Sequence, residues 1–230
     1  MVLRDALATV RQRLEQACRH ANRDASAVTL VGVTKGVPLE LVREAMGLGL
    51  RDFGENRVQE ARAKIAAIDH QDVHWHFLGH LQRNKAKDAV GLFSVIHSVD
   101  RRELIIELAR QALTQSRKPE VLIQVNVSGE TTKFGCRAED VDALARAIEE
   151  QPALRLGGLM TMAPFSSDAE ASRPYFRHLR EIRDRLAKAL GRPPGELKLS
   201  MGMSQDFEVA IEEGADWVRV GTAIFGERHP

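Results

Sequence analysis

The sequence predicts one α/β domain, a single (β/α)8 barrel of the TIM type that spans residues 1–230 and carries an additional N-terminal helix. Short apolar segments of strand length alternate with longer amphipathic segments along the chain. Helical crossovers make neighbouring strands parallel, and eight parallel strands close as a barrel, whereas a doubly wound sheet usually has about six. The length of 230 residues also lies within the range of about 200–250 typical of a single α/β barrel.

The N-terminal helix is predicted over residues 2–21, because apolar residues such as Leu7 and Val10 recur there at helical spacing. The first strand, 28–34, is a continuous apolar run of the kind that is buried on both faces of a sheet. Pro38 opens the next helix, since proline fits the first helical turn. In the first half of the chain we then expect strands at 51–55, 74–79 and 93–98, and helices at 38–47, 58–68, 84–90 and 102–113.

The second half of the chain continues the same alternation. Its predicted strands are 121–127, 154–160, 197–201 and 217–220, and its predicted helices are 138–150, 168–190 and 205–213. The helix expected after the eighth strand is missing or very short, and the N-terminal helix can take its place in the outer ring. No linker rich in Pro, Gly or Ser interrupts the series, which favours one domain.

Composition excludes several classes of function. The 33 basic and 32 acidic residues give a formal net charge of +1, so no global field attracts nucleic acid or an anionic membrane. Aromatic residues make up 5% of the chain, too few for an evident base-stacking surface. We see neither a signal-peptide core nor the ~18 consecutive apolar residues of a membrane span. Cys18 and Cys136 share no motif spacing, which indicates a reducing cytoplasm.

Functional residues of such barrels lie at the carboxyl ends of the strands, and Lys35 is the sharpest candidate there. It follows the first buried strand directly, where partial desolvation favours the neutral amine. A neutral amine attacks an aldehyde or ketone to form a Schiff base. The alternative is a lysine that extends from the strand end into solvent.

The loops after the seventh and eighth strands form a candidate phosphate site, as in many barrels. Gly202 and Ser204 precede a predicted helix, so Ser204 is a natural N-cap, while Gly221 and Thr222 let the backbone approach a ligand closely. The alternative is that Ser204 only caps its helix and the glycines only turn the chain.

Arg219 lies inside the apolar eighth strand and needs hydrogen-bond acceptors. If it faces the barrel mouth, it can donate to a ring nitrogen of a ligand. Because arginine stays protonated, that nitrogen would remain unprotonated, and an unprotonated pyridine is a poor electron sink. The alternative is a structural ion pair with a carboxylate.

Other polar and aromatic residues carry weaker signals. His74, His76 and His80 are close in sequence, but no carboxylate or cysteine cluster joins them, so we predict no metal site. Nothing near Cys136 marks it as an activated nucleophile. We expect Trp75 and Trp217 to serve packing rather than binding.

Six motifs, in order across nearly the whole chain, resemble the pyridoxal phosphate homeostasis proteins. They are 33–35 (VTK), 53–60 (FGENRVQE), 76–85 (HFLGHLQRNK), 158–160 (GLM), 199–204 (LSMGMS) and 218–226 (VRVGTAIFG). The second and third are long and specific. The resemblance implies the barrel of fold-type III enzymes such as alanine racemase, with pyridoxal 5′-phosphate as cofactor.

Carried over to matching positions, the resemblance makes Lys35 the covalent attachment point of pyridoxal 5′-phosphate. It implies that the phosphate is held by Ser204, Gly221, Thr222 and the N-terminus of the helix after Ser204, that Arg219 faces the pyridine nitrogen, and that Asn56 and Met201 line the pocket. The sequence departs from the family at Thr34, where the family usually has a smaller residue or a serine. This departure concerns only the local contact to Lys35.

The sequence favours a non-catalytic carrier over an enzyme. A racemase needs acid/base groups on both faces of the cofactor, and Lys35 is the one clear candidate. The racemases that resemble this barrel supply a tyrosine from a second domain, whereas this sequence ends just after the eighth strand and its sole tyrosine, Tyr175, lies in a long helix. A half-open pocket also loses the exclusion of water that such chemistry uses.

Two alternatives remain at this stage, a racemase-like enzyme that borrows a partner's residue and a Schiff-base aldolase acting on phosphorylated sugars. As a carrier, the protein would act in intracellular vitamin B6 homeostasis, with pyridoxal-phosphate-dependent apo-enzymes as recipients. We expect a cytoplasmic monomer that binds neither nucleic acid nor membrane.

Overall fold

A computed structural model describes residues 2–68 and 70–227. In these residues, eight parallel strands form a closed barrel in which each strand pairs with the next and the eighth pairs with the first. The predicted (β/α)8 fold is therefore confirmed. The strands are β1 (Thr29–Val33), β2 (Asp52–Glu55), β3 (His74–Phe77), β4 (Val95–Val99), β5 (Glu120–Gln124), β6 (Arg155–Met160), β7 (Lys198–Ser200) and β8 (Trp217–Val220).

Helices surround the barrel, and nine α-helices lie in the described residues. They are α1 (Leu3–His20), α2 (Leu39–Gly47), α3 (Val58–Ala67), α4 (Ala86–Leu92), α5 (Arg102–Thr114), α6 (Val141–Glu149), α7 (Arg173–Ala189), α8 (Phe207–Glu212) and α9 (Thr222–Phe225). The single-turn helix α9 is the very short final helix that the sequence predicts. None of the described helices is long and apolar enough to cross a membrane.

The N-terminal helix α1 completes the outer ring between α8 and α2. Arg13 of α1 forms an ion pair with Glu208 of α8 at 2.6 Å, and its guanidinium lies 4.7 Å from the ring centroid of Phe207. On the other side, Arg11 donates to the carbonyl oxygen of Leu48, just after α2, at 2.9 Å. The predicted place of this helix in the outer ring is confirmed.

Several predicted element bounds are wrong by a few residues. The strand predicted at 121–127 ends at Gln124, because Val125 forms an isolated bridge with Cys136 instead. The helix predicted at 168–190 begins with the 3-10 turn Ala169–Ser172, and the helix predicted at 205–213 begins only at Phe207.

Two hydrophobic clusters lie on opposite sides of the strands. The larger one fills the layer between the barrel and its helices. The smaller one lies inside the barrel and consists of Val95, Leu122 and Met160, with Trp217 packed against them. Buried polar side chains share the barrel interior with this small cluster, and they extend towards the carboxyl ends of the strands.

Candidate functional site

A cavity of ≈ 370 Å³ opens at the carboxyl ends of the strands, where barrels place their functional residues. Five of the residues singled out from the sequence line it: Asn56, Ser204, Arg219, Gly221 and Thr222. The other lining residues are Val33, Leu78, Met162, Phe165, Met203 and Gln205. Residues far apart in the sequence therefore meet around one space.

Ser204 connects the loop after β7 with the first turn of α9. Its Oγ accepts hydrogen bonds from the backbone N–H groups of Gly221 and Ala223, both at 3.3 Å. The prediction that Ser204 is the N-cap of the following helix is wrong, because the N-cap of α8 is Asp206, two residues further on, and the helix begins at Phe207. Asp206 instead closes the loop by accepting from the N–H of Met203 at 2.7 Å.

Gly202 and Gly221 bring these loops close to their neighbours. Gly202 has a φ of +91°, and a Cβ there would lie 2.6 Å from the Cβ of Ala210, so only glycine fits. A Cβ on Gly221 would lie 3.4 Å from the carbonyl oxygen of Val33. The start of α9 therefore lies directly beside the end of β1.

Lys35 follows β1 in a turn that the N–H of Val37 closes on the carbonyl oxygen of Thr34 at 2.9 Å. It is half-buried. Because β1 pairs with β8 in the register Gly32 to Val220, Lys35 and the Gly221 loop leave adjacent strands at the same edge of the barrel. Lys35 itself is not among the described residues that line the cavity, whereas Val33, two residues before it, is.

A buried lysine, Lys64 of α3, supports the backbone of this turn. Its Nζ donates to the carbonyl oxygen of Thr34 at 2.5 Å and to Oε1 of Glu55 at 2.7 Å. Thr34 Oγ1 also donates to Glu55 at 2.6 Å, and the N–H of Gly36 donates to Glu60. Both carboxylates thus accept a hydrogen bond from Lys64, and each accepts a second one from a residue of the turn. Burial raises the pKa of Glu55, although its hydrogen bonds with Lys64 and Thr34 oppose that rise.

Sequence reasoning missed this cluster of Lys64, Glu55 and Glu60. The available signal was the apolar face of α3, on which Lys64 follows the buried Ala61 at helical spacing. Thr34, where the resemblance implies a smaller residue or a serine, donates to this cluster.

Arg219 is 4% exposed and reaches the cavity from inside the barrel. Its two Nη atoms donate to Ser200 Oγ at 2.6 Å and to the carbonyl oxygen of Thr161 at 2.8 Å. Both acceptors are neutral, so within the described residues these contacts do not bear out the alternative of a structural ion pair. Burial lowers the pKa of Arg219 to about 10, which leaves it protonated at neutral pH.

The remaining candidates lie away from the cavity or serve packing. Met201 is fully buried in the larger hydrophobic cluster, and Met203 lines the cavity in its stead among the described residues. Burial raises the pKa of Cys136 to about 12, so its thiol is not activated. Trp75 packs on Phe53 with ring centroids 5.5 Å apart, and Tyr175 packs against the core from α7.

The expectation that no carboxylate joins the neighbouring histidines is wrong. Oδ1 of Asp52 lies 3.4 Å from Nδ1 of His74 and 3.0 Å from Nε2 of His76. Strand β2 pairs with β3 in the register Asp52 to His74, which a sequence without known strand pairing does not reveal. No group of three or more His, Cys, Asp or Glu in the described part of the chain is arranged to hold a metal ion.

Comparison with known proteins connects this geometry to a family. Residues 6–229 match the family described as alanine racemase, N-terminal domain. A pyridoxal phosphate homeostasis protein from Aquifex aeolicus is 45% identical over 97% of both chains. The chain belongs to the pyridoxal phosphate homeostasis protein family. Other members of this family include proteins from Pseudomonas aeruginosa, 44% identical over 96% of this chain and 94% of its own, and from Bos taurus, 38% identical over 97% and 86%.

Solved structures agree with this family and with its fold. PipY of Synechococcus elongatus without pyridoxal phosphate (PLP) superposes with a TM-score of 0.86 at 37% identity, covering 98% of this chain and 100% of PipY. PipY with PLP bound gives a TM-score of 0.84 at 36% identity over the same shares of both chains. Alanine racemase from Clostridium difficile shares the fold alone, with a TM-score of 0.76 at 14% identity, over 99% of this chain and 57% of the racemase.

Proposed function

We propose that this protein binds pyridoxal 5′-phosphate as a Schiff base on Lys35 and contributes to intracellular PLP homeostasis without catalytic turnover. The observation that supports the proposal is that Lys35 follows β1 at the same edge of the barrel at which the Ser204–Gly221 loop pair follows β7 and β8. The relatives named as PLP homeostasis proteins and the PLP-bound structure of PipY support it.

The residues around the cavity fit the phosphate group. The N–H groups of Gly221 and Ala223 converge on the Oγ of Ser204 at the start of α9. A phosphate oxygen can accept from the same N–H groups, and Ser204 and Thr222 can add hydroxyl donors. The cavity is also large enough for an aromatic ring beside this cradle.

Arg219 fits a contact with the pyridine ring. A guanidinium has five N–H donors, and Ser200 and Thr161 accept from two of its nitrogen atoms. Because Arg219 stays protonated, it can donate to the ring nitrogen but leaves that nitrogen unprotonated. When bound, PLP supplies an electron sink for amino-acid chemistry, and this contact weakens that sink.

The lining of the cavity argues against turnover. Its polar members among the described residues are Asn56, Ser204, Gln205, Arg219 and Thr222, none of which exchanges a proton readily near neutral pH. A racemase requires a second acid/base group opposite the lysine. We therefore infer that Lys35 anchors the cofactor and that the open cavity allows its release.

We propose that the protein releases the cofactor to PLP-dependent apo-enzymes, which would then be its partners. Exposed apolar side chains lie at the rim of the cavity, where such a partner could make contact, with Phe165 81% and Met162 38% exposed.

Both cysteines, Cys18 and Cys136, are buried as free thiols, which supports a reducing cytoplasm. We propose that the protein acts there as a monomer.

A visible absorption spectrum with reduction tests the attachment. Addition of PLP should turn the protein yellow, borohydride should bleach it, and peptide mapping should find the label on Lys35. Lys35→Ala should lose the yellow band, whereas Lys118→Ala, which changes an exposed lysine, should keep it. An unchanged band in Lys35→Ala, or a label on another lysine, would contradict the assignment.

An assay of amino acids tests the absence of turnover. We expect no racemisation of alanine by the PLP-loaded protein at ordinary enzyme rates. A kcat of about 1 s⁻¹ or more, within the usual range for enzymes, would show that the protein is a racemase rather than a carrier.

A further inference from the structure

Five buried or partly buried side chains form a continuous hydrogen-bonded chain through the barrel interior, which we call the barrel relay. It consists of Asp52, His76, His97, Ser200 and Arg219. The distances are 3.0 Å from Asp52 Oδ1 to His76 Nε2, 2.9 Å from His76 Nδ1 to His97 Nε2, 2.9 Å from His97 Nδ1 to Ser200 Oγ, and 2.6 Å from Ser200 Oγ to Arg219 Nη1. The relay connects the amino-terminal end of β2 with the cavity.

The charges at the two ends of the relay fix its direction. The carboxylate of Asp52 can only accept, and the guanidinium of Arg219 can only donate. If both imidazoles are neutral, each donates one hydrogen bond and accepts one. His76 must then carry its proton on Nε2 to face Asp52, and its bare Nδ1 accepts from Nε2–H of His97.

The same argument determines to which atom the Ser200 hydroxyl donates its hydrogen bond. Because His97 uses its proton towards His76, its Nδ1 is an acceptor, and the Ser200 hydroxyl donates to it. Ser200 Oγ then offers its lone pairs to Arg219 Nη1. Every donor points from Arg219 towards Asp52, and every polar atom along the line has a partner of the right kind.

A neutral His97 is consistent with its surroundings. Its side chain is fully buried, and burial, His76 and Arg219 together lower its pKa well below the usual range. Trp217 packs on both imidazoles, with centroid distances of 5.8 Å to His76 and 5.2 Å to His97. Because the Trp217 ring packs against both imidazoles, it restricts their access to other hydrogen-bond partners.

We infer that Asp52, His76, His97 and Ser200 are positioning residues that orient the Arg219 guanidinium towards the ring of the bound cofactor. This inference rests on the proposed function. The contacts of Arg219 itself are to a hydroxyl and a carbonyl group, and the carboxylate whose charge acts on its pKa is that of Asp206. Asp52 reaches Arg219 only through the hydrogen bonds of two imidazoles and a hydroxyl. Without the carboxylate, only Arg219 still orders the line, and Ser200 Oγ, which has two lone pairs, can accept from His97 Nδ1–H as well as from Arg219.

Nitrogen-15 NMR of the imidazoles in the protein without added cofactor tests the direction. Both His76 and His97 should carry their proton on Nε2, with assignments taken from His76→Gln and His97→Gln. In Asp52→Asn, whose amide can donate or accept, an Nδ1–H tautomer should appear in at least one of the two. Glu120→Gln is the matched control, because Glu120 also lies close to His76 but forms its ion pair with Arg155. A doubly protonated His76, or a proton on Nδ1 of His97 in the wild type, would contradict the direction of hydrogen bonding proposed for the relay.

A double-mutant cycle on PLP binding tests the action through Ser200. Asp52→Asn and Ser200→Ala should each weaken PLP binding about tenfold, and the double variant should be no weaker than Ser200→Ala alone, because residues in one network are not additive. Glu120→Gln should bind as the wild type does. Additive losses, or no loss in Asp52→Asn, would show that Asp52 does not act through this line.

The two experiments separate the inference from the proposed function. If the wild type fails to bind PLP, the proposed function falls, and the role of the relay in orienting Arg219 for a cofactor falls with it. The tautomers in the unliganded protein would still decide whether the hydrogen bonds run from Arg219 to Asp52. Thermal unfolding of each variant should show that it is folded.

Discussion

Ser204 illustrates what a single hydroxyl contributes at the residue scale. It accepts from two N–H groups across the cavity edge and so holds the loop after β7 against the start of α9. The sequence correctly marks Ser204 as a polar residue at a strand end. It does not reveal which helix the hydroxyl contacts, because Asp206 lies only two residues further along and α8 begins after it.

Substitution Ser204→Ala tests this contact. We expect PLP affinity to fall about 10- to 100-fold, because a hydrogen bond to a charged group contributes about 1.5–3 kcal/mol and each tenfold in affinity is about 1.4 kcal/mol. Spectroscopic titration with PLP measures the change. Ser128→Ala, in the loop after β5, should titrate as the wild type does. Equal affinities for Ser204→Ala and the wild type would place the phosphate elsewhere.

The residue scale also shows where prediction from sequence stops. Lys35 and Gly221 could be singled out as residues at strand ends, Arg219 as a charge inside an apolar strand, and Asn56 through the resemblance to a family. Their partners could not, because His97 and Ser200 are 103 positions apart and meet only through the closed barrel.

At the element scale, the buried Glu213 fastens α7 to the end of α8. Its carboxylate lies 3.2 Å from Arg173, 3.0 Å from Arg177 and 3.1 Å from Arg180, all on α7. Burial alone would raise the pKa of Glu213, but hydrogen bonds from Arg177 and Arg173 outweigh it, so the pKa lies below the ordinary value. The amphipathic pattern predicts both helices but not this junction.

The lowered pKa of Glu213 gives a pH dependence with a definite sign. Glu213→Gln should lower the free energy of unfolding by about 1.5–3 kcal/mol at pH 7. This difference should persist above the ordinary carboxyl pKa of 4.5 and shrink as the pH falls through the lower folded-state value, since the wild-type carboxylate is then protonated. Urea unfolding at several pH values measures it.

Glu212 provides the matched control for this junction. It contacts Arg173 at 2.6 Å, but its side chain is 30% exposed, so Glu212→Gln should cost less than about 1 kcal/mol. A cost for Glu213→Gln that stayed constant down to pH 3 would contradict the electrostatic explanation.

At the scale of the whole molecule, α1 belongs to the layer that covers the barrel. Leu7 of α1 is 1% exposed and lies in the larger hydrophobic cluster. The alternation of strands and helices predicts the barrel, because each element leaves a local pattern. The exact strand ends are not predicted, since pairing across the barrel decides them.

Substitution Leu7→Ala tests whether α1 is an integral layer of the barrel. The free energy of unfolding should fall by about 2–5 kcal/mol, because the substitution leaves a cavity in a packed core. Leu113→Ala, on α5 and 62% exposed, should change it by no more than about 0.5 kcal/mol. Urea unfolding compares the two, and equal costs would mean that α1 packs only loosely.

The pairing of β8 with β1 has a consequence for protein synthesis. Lys35 leaves the ribosome long before Gly221 and Thr222, yet the proposed cradle needs all three at one edge of the barrel. A nascent chain that lacks β8 therefore has the lysine but not the loop that would hold the phosphate. Stable capture of PLP should thus begin only after β8 has emerged and closed the barrel. A chain still being synthesised would then not hold the cofactor.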